Sequence, residues 1–172
     1  PSAVGTSKMD TGRSLAAAMA HHRAGRLDEA DAIYRAILAA RPDDVDSLHL
    51  AGVVASQKRR FGEAVALIGR AVSLKRPPAA ELHGNLGLAL RGLGRDEDAI
   101  AEYRRALALK SDYPEAHNNL AAALKDLGRP AEAEPHCRRS LALRPNSPAA
   151  YFALGTVLQD LGRLGDAEAC YR

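Results

Sequence analysis

The stretch from His117 to Pro145, HNNLAAALKDLGRPAEAEPHCRRSLALRP, restates the stretch from His83 to Ser111, HGNLGLALRGLGRDEDAIAEYRRALALKS, thirty-four residues further on. A fixed period of this length implies stacked units, none of which can bury its apolar face alone. Four columns keep the step: Leu86, Leu120 and Leu154; Leu90, Leu124 and Leu158; Gly94, Gly128 and Gly162; Ala99, Ala133 and Ala167. Ala30 and Ala64 extend the alanine column, and Gly25 and Arg59 the turn column. One extra residue near KRPPAA stretches the step from Ala64 to Ala99 to thirty-five. The register survives because the insertion falls in a loop. The expected units are 11–44, 45–79, 80–113, 114–147 and a shorter 148–172, preceded by a disordered leader or tag over residues 1–10. The chain stops inside an expected helix, which suggests a piece of a longer protein.

Within a unit, AHNNLAAALKDLG sets Ala116, Leu120, Ala123, Leu124 and Leu127 on one stripe by the three-and-four spacing of an amphipathic helix. The glycine of LGR follows, where a left-handed cap is easiest without a Cβ. AEAEPHCRRSLAL then repeats the helical spacing with Ala133, Cys137, Ser140, Leu141 and His136 or Leu143. Each unit therefore reads as an antiparallel helix pair, with Pro114 and Pro148 in first turns that tolerate a missing N–H and Ser147 placed to cap. Pro135, several residues inside its helix, predicts a kink or a late start. A composition with 4% aromatic residues, no Trp and much Ala suits close helix packing. The fold class is all-α.

The repeated residues resemble the tetratricopeptide repeat, from about Thr11 to Arg172. Its signature slots are filled by Leu86, Gly87, Leu90, Gly94, Ala99, Tyr103 and Ala106, then by Leu120, Ala121, Leu124, Gly128, Ala133, Cys137, Ser140 and Pro145. His83 and His117 stand where an aromatic is frequent, Ser111 replaces the closing proline, and Arg59 replaces a turn glycine. The resemblance implies an α-solenoid wound as a right-handed superhelix, with first helices lining a concave groove and second helices forming the convex back. It also implies a protein-interaction module that takes a partner protein or an extended peptide in that groove.

The chain contains no G-x-S-x-G, Walker phosphate loop, H-E-x-x-H or C-x-x-C. RGLGR around Gly94 has no preceding strand and recurs as a helix-ending turn, so it is not read as a phosphate cradle. His21 and His22 diverge by about 100° on a helix, and no ligand set completes a site around His83 and His117; these are read as packing histidines. Cys137 occupies the large slot held elsewhere by Tyr103 and Tyr171 and reads as a small buried hydrophobe. No catalytic centre, metal or cofactor is expected within the chain. Two cysteines make no disulfide framework, and no apolar run is long enough for a bilayer span, so the expected setting is cytoplasmic without membrane insertion.

The arginines Arg35, Arg70, Arg104, Arg105, Arg138 and Arg139 lie toward the ends of second helices. Acids crowd the starts of the same helices, Glu134 stands four residues before Arg138, and no aromatic residues interleave for base stacking. A solvated face is expected rather than a nucleic-acid stripe. By helical phase the groove should present Leu15, Met19, His22, His49, Val53, Ser56, Asn85, Leu88, Arg91, Asn118, Asn119, Ala122, Lys125, Phe152, Thr156 and Gln159. Asn85 and Asn119 stand one period apart, so their amides could bond the backbone of an extended peptide, or instead bond neighbouring helices. Asn positions of this kind, with NNLA and GNLG starts, resemble the arrays of O-linked N-acetylglucosamine transferases and their bacterial relatives. Ala16, Leu50 and Ala153 interrupt the ladder, and the carboxylate clamp of Hsp90-binding repeats is a poorer match. That resemblance implies a substrate-recruiting region of a larger glycosyltransferase; a self-assembling scaffold stacked end to end is the other alternative.

Overall fold

The computed structural model describes residues 7–172, with side chains from residue 12 onward. Among the described residues all regular structure is helical, in ten helices: α1 (Ser7–Arg23), α2 (Leu27–Ala40), α3 (Val45–Gln57), α4 (Phe61–Leu74), α5 (Ala80–Gly92), α6 (Asp96–Leu109), α7 (Pro114–Asp126), α8 (Pro130–Leu143), α9 (Pro148–Asp160) and α10 (Leu164–Tyr171). Helix α1 begins at Ser7, so it reaches into the stretch expected to be a disordered leader; residues 1–6 of that stretch lie outside the described residues. The contacts divide the chain into two compact units, Pro1–Pro77 and Pro78–Arg172. The division falls in the loop that carries the extra residue. In the first unit each helix packs on the next, from α1 to α4; in the second each packs on the next from α5 to α10, and α5 also meets α7 and α7 meets α9.

One packing rule recurs in every helix pair. A small residue on the first helix stands sixteen positions before a larger one on the second: Ala18 and Tyr34, Gly52 and Ile68, Gly87 and Tyr103, Ala121 and Cys137, and Gly155 and Tyr171. A Cβ on Gly52 would lie 2.4 Å from Ile68 Cγ1, on Gly87 2.6 Å from Tyr103 Cε1, and on Gly155 2.3 Å from Tyr171 Cε1. Where the large residue shrinks to Cys137, the small one grows to Ala121. At the three glycines the close approach of the second-helix side chain depends on the missing Cβ, whereas in the first pair Ala18 holds the same register before Tyr34. The alanine column, Ala30, Ala64, Ala99, Ala133 and Ala167, is buried throughout and lets the second helix approach.

The turns inside the pairs are built alike. Gly94 N–H donates to Arg91 O and Arg95 N–H to Leu90 O, and the same two bonds recur around Gly25, Gly128 and Gly162. All four glycines have φ between 70° and 74°, the left-handed cap that spares a Cβ. At the fifth turn Arg59 adopts φ 58° with the same bonding, its guanidinium 5.7 Å from the Phe61 ring. Helix starts are capped where the sequence permits: Asp44 Oδ1 accepts from Ser47 N–H at 3.0 Å, and Ser147 Oγ from Ala150 N–H at 3.3 Å.

Two expectations are corrected. Leu127 is exposed rather than part of the core stripe, because α7 ends at Asp126 and Leu127 is already its cap residue. Helix α8 starts at Pro130 and runs through Pro135, so there is no late start. Pro135 and Ala131, whose carbonyl loses its partner, both face outward, where that carbonyl is accessible to solvent.

Replacing Gly87 by Ala should drive a methyl into the buried Tyr103 ring and cost about 1–3 kcal/mol in urea unfolding, outweighing the roughly 1 kcal/mol gain in helix propensity. Replacing Arg59 by Gly should relieve the left-handed strain and raise stability by about 1 kcal/mol, measured the same way.

Candidate functional site

Helices α5 and α7 enclose a pocket of about 300 Å³ lined by Gly84, Asn85, Leu88, Tyr113, Glu115, Ala116, Asn118 and Asn119. Four of these, Asn85, Leu88, Asn118 and Asn119, are among the residues assigned to the groove by helical phase. Gly84, Tyr113, Glu115 and Ala116 were not. Tyr113 precedes Pro114 at the helix start, outside helical phase, so periodicity could not place it. Its ring lies against α5 because Gly84 has no side chain: a Cβ there would sit 3.2 Å from Tyr113 Oη. Lys110 Nζ stands 5.1 Å from the same ring, and burial raises the phenol pKa above its ordinary value. The small Gly84 and Ala116 supply depth, Leu88 and Tyr113 apolar walls, and the three asparagines polar ends.

Charge in and around the pocket is compensated. Glu115 pairs with Arg144 at 2.5 Å. Arg91 and Lys125, expected in the groove, share Asp126 at 2.6 and 3.3 Å. Asn118 Oδ1 is buried with no hydrogen-bond partner.

The remaining groove assignments lie elsewhere. His49 and Val53 are half-buried on α3, in the first unit. Ala122 is half-buried on α7. Phe152 is 64% exposed and packs beside Tyr171, ring centres 5.9 Å apart, in a wider cavity of about 740 Å³ with Tyr151, Pro145 and Pro148. Thr156 Oγ1 donates to Ala153 O, and Gln159 Oε1 accepts from Tyr171 Oη at 2.7 Å.

Each arginine of the second-helix series has an acidic partner: Arg35 with Glu63, Arg70 with Asp43, Arg104 with Glu132, Arg105 with Glu102, Arg138 with Glu134 and Arg139 with Asp112. Two histidine contacts lie within helix pairs, whereas His22 Nε2 lies 3.0 Å from Gln57 Oε1, between α1 and α3. His83 Nδ1 lies 2.7 Å from Glu102 Oε2, and His117 Nδ1 3.0 Å from His136 Nδ1. Among the described residues no three His, Cys, Asp or Glu side chains converge as a metal site, and no helix is long and apolar enough to cross a membrane. Both cysteines are free. Burial pushes the Cys137 thiol up to about 11, far from a thiolate nucleophile at neutral pH.

A stack of two-helix units with left-handed turns after each first helix defines a helical-hairpin repeat protein. Models of the tetratricopeptide repeat match residues 14–36, 87–128 and 112–172, which together cover more than half of the sequence. The chain is a tetratricopeptide-repeat protein, and its repeats make it a protein-interaction module. No curated protein matches the sequence. Among solved structures, MamA superposes with a TM-score of 0.81 at 22% identity, over 94% of this chain and 87% of its own. YrrB, described as a TPR protein with an unusual peptide-binding site, gives 0.73 at 20% identity, over 91% and 80%. TTC0263, a thermophilic TPR protein of Thermus thermophilus, gives 0.75 at 22%, over 94% and 88%. Likeness at these identities establishes the fold.

Replacing Asn118 by Leu removes an unpaired buried oxygen while keeping the branched shape, so stability should hold or rise by up to about 2 kcal/mol in thermal or urea unfolding. A loss of stability would mean that the amide is bonded in solution.

Proposed function

We propose that the pocket between α5 and α7 binds an extended segment of a partner protein, with Asn85, Asn118 and Asn119 bonding its backbone and Leu88 and Tyr113 flanking one uncharged side chain. The observation that carries this is the convergence of three amides around apolar walls, in a place where every neighbouring charge is already compensated. Amides donate and accept, which suits a peptide backbone regardless of its side chains. Charge compensation favours an uncharged anchor, since a charged one would be desolvated without a counter-ion. YrrB, of the same fold, has a peptide-binding site by its own description. On this reading the chain binds and does not catalyse, and the two free thiols suit a reducing, cytoplasmic setting.

A second reading, a substrate-recruiting region of an O-linked N-acetylglucosamine transferase-like enzyme, is favoured only by the one-period register of Asn85 and Asn119. Sequencing the gene past Arg172 tests it: a following nucleotide-sugar-binding region would support it, and repeats ending in a polar capping helix would overturn it. End-to-end self-assembly would instead show as concentration-dependent mass in sedimentation.

To test the pocket, peptides selected by display against the protein should bind about tenfold more weakly when Asn85 and Asn119 are both replaced by Ala, the loss of two backbone bonds. Helicity and melting temperature should be nearly unchanged. Unchanged affinity with lowered stability would assign the amides to packing.

A further inference from the structure

His117 and His136 occupy, one repeat on, the positions of His83 and Glu102. The earlier pair sets an imidazole against a carboxylate; the later one sets an imidazole against an imidazole, Nδ1 to Nδ1 at 3.0 Å. The ring centres are 5.3 Å apart with planes 30° from parallel. The centre separation exceeds the nitrogen separation by about one ring diameter, so the two nitrogens point at each other rather than toward a third point where an ion could sit. The contact is a hydrogen bond and not a chelate.

Its protons can be assigned. His117 Nε2 lies 3.0 Å from the Ser111 carbonyl, which can only accept, so Nε2 carries a hydrogen. In neutral His117 the Nδ1 is then a lone pair, and His136 Nδ1–H must donate to it. A first added proton can go to His136 Nε2 and leave the bond in place. A second must go to His117 Nδ1, setting two N–H groups and two positive charges face to face.

The surroundings do not absorb that charge. Near His117 stand Arg139 and Asp112, already paired at 2.5 Å. Near His136 stand Arg104 from α6 and Glu132 from α8, 3.6 Å apart, and Glu132 also binds Arg129 at 2.7 Å. On α5, Arg91 is held by Asp126 and Glu81 by Lys110; on α9, Asp160 is the single charged residue.

We propose that the His117–His136 pair is an acid-sensitive latch, which holds α7 on α8 and ties down the α6–α7 loop at neutral pH and releases them on acidification. Asn118 and Asn119 follow His117 directly, and Tyr113 lies on the loop that His117 grips through Ser111, so release loosens one side of the pocket. That last step rests on the pocket reading; the latch itself does not.

Burial, with Arg139 adding to it and the Ser111 bond and Asp112 opposing, pushes His117 below the ordinary 6.5, and burial with His117 and Arg104, against Glu132, does the same to His136. With folded values depressed, the unfolded chain binds more protons below about 6.5. Stability is therefore full above that pH and falls as pH drops through the folded values.

The test is urea unfolding of the whole chain between pH 7.5 and 5, beside His136→Glu, which copies the His83–Glu102 pair the protein already builds. For the native sequence the unfolding constant should rise as pH falls below 6.5, by up to about tenfold per pH unit for each extra proton. In the variant this rise should shrink or vanish, since a carboxylate partner gains when the imidazole is protonated. Nitrogen-resolved NMR of the native protein at pH 7.5 should find His117 protonated at Nε2 and His136 at Nδ1. Parallel pH profiles in the two proteins, or any other tautomer pair, would overturn the latch, and the NMR result stands even if the variant fails to fold. A latch seen by both measures, with peptide affinity insensitive to pH, would overturn the pocket coupling alone.

Discussion

Everything else in the structure depends on how closely the two helices of a pair approach, and in three pairs that approach depends on the missing Cβ of a glycine. Gly52, Gly87 and Gly155 admit Ile68, Tyr103 and Tyr171, while Ala121 suffices against Cys137. The trade of volume holds in four of the five pairs and keeps them filled although the sequences differ; Ala18 against Tyr34 is the exception. It also explains why a chain with few aromatics builds a tight core: Tyr34 and Tyr103 are wholly buried, one within each compact unit. Ridge-into-groove packing then positions the next helix, and in the second unit it brings α5 and α7 side by side.

The pocket follows from this spacing together with one departure from it. At Gly84 the small residue accommodates no second-helix side chain. It accommodates Tyr113, from the loop entering the next helix. The repeat therefore supplies the platform, and an off-pattern residue supplies the wall. Depth comes from glycine and alanine, both of which also occur in the core, so composition alone does not separate the two uses.

Periodicity made most of the fold legible. The leucine and alanine columns are buried, the glycine turns are left-handed caps, and the proline-led helix starts fall where the spacing sets them. It failed where a residue is off the helix or at its end. Leu127 has helical spacing but lies beyond the last turn, and Pro135 is tolerated because its turn faces solvent. The pocket was half legible, for the same reason: Asn85, Leu88, Asn118 and Asn119 obey helical phase, whereas Tyr113 sits in a loop and Gly84 has no side chain to assign. Arg91 and Lys125 share the phase, but long side chains go where their counter-ion is, and Asp126 claims both. The partner of His117 was legible only in hindsight, since its meaning depends on comparing Glu102 and His136 in one column.

The buried tyrosines have a spectroscopic consequence. The chain has no tryptophan and five tyrosines, of which Tyr34 is the single one in the first compact unit. Its ring is enclosed and its hydroxyl unpartnered. Ultraviolet difference spectra of a protein in which the other four are phenylalanine would isolate Tyr34, and the four-to-one division separates the optical signals of the two units without any attached label.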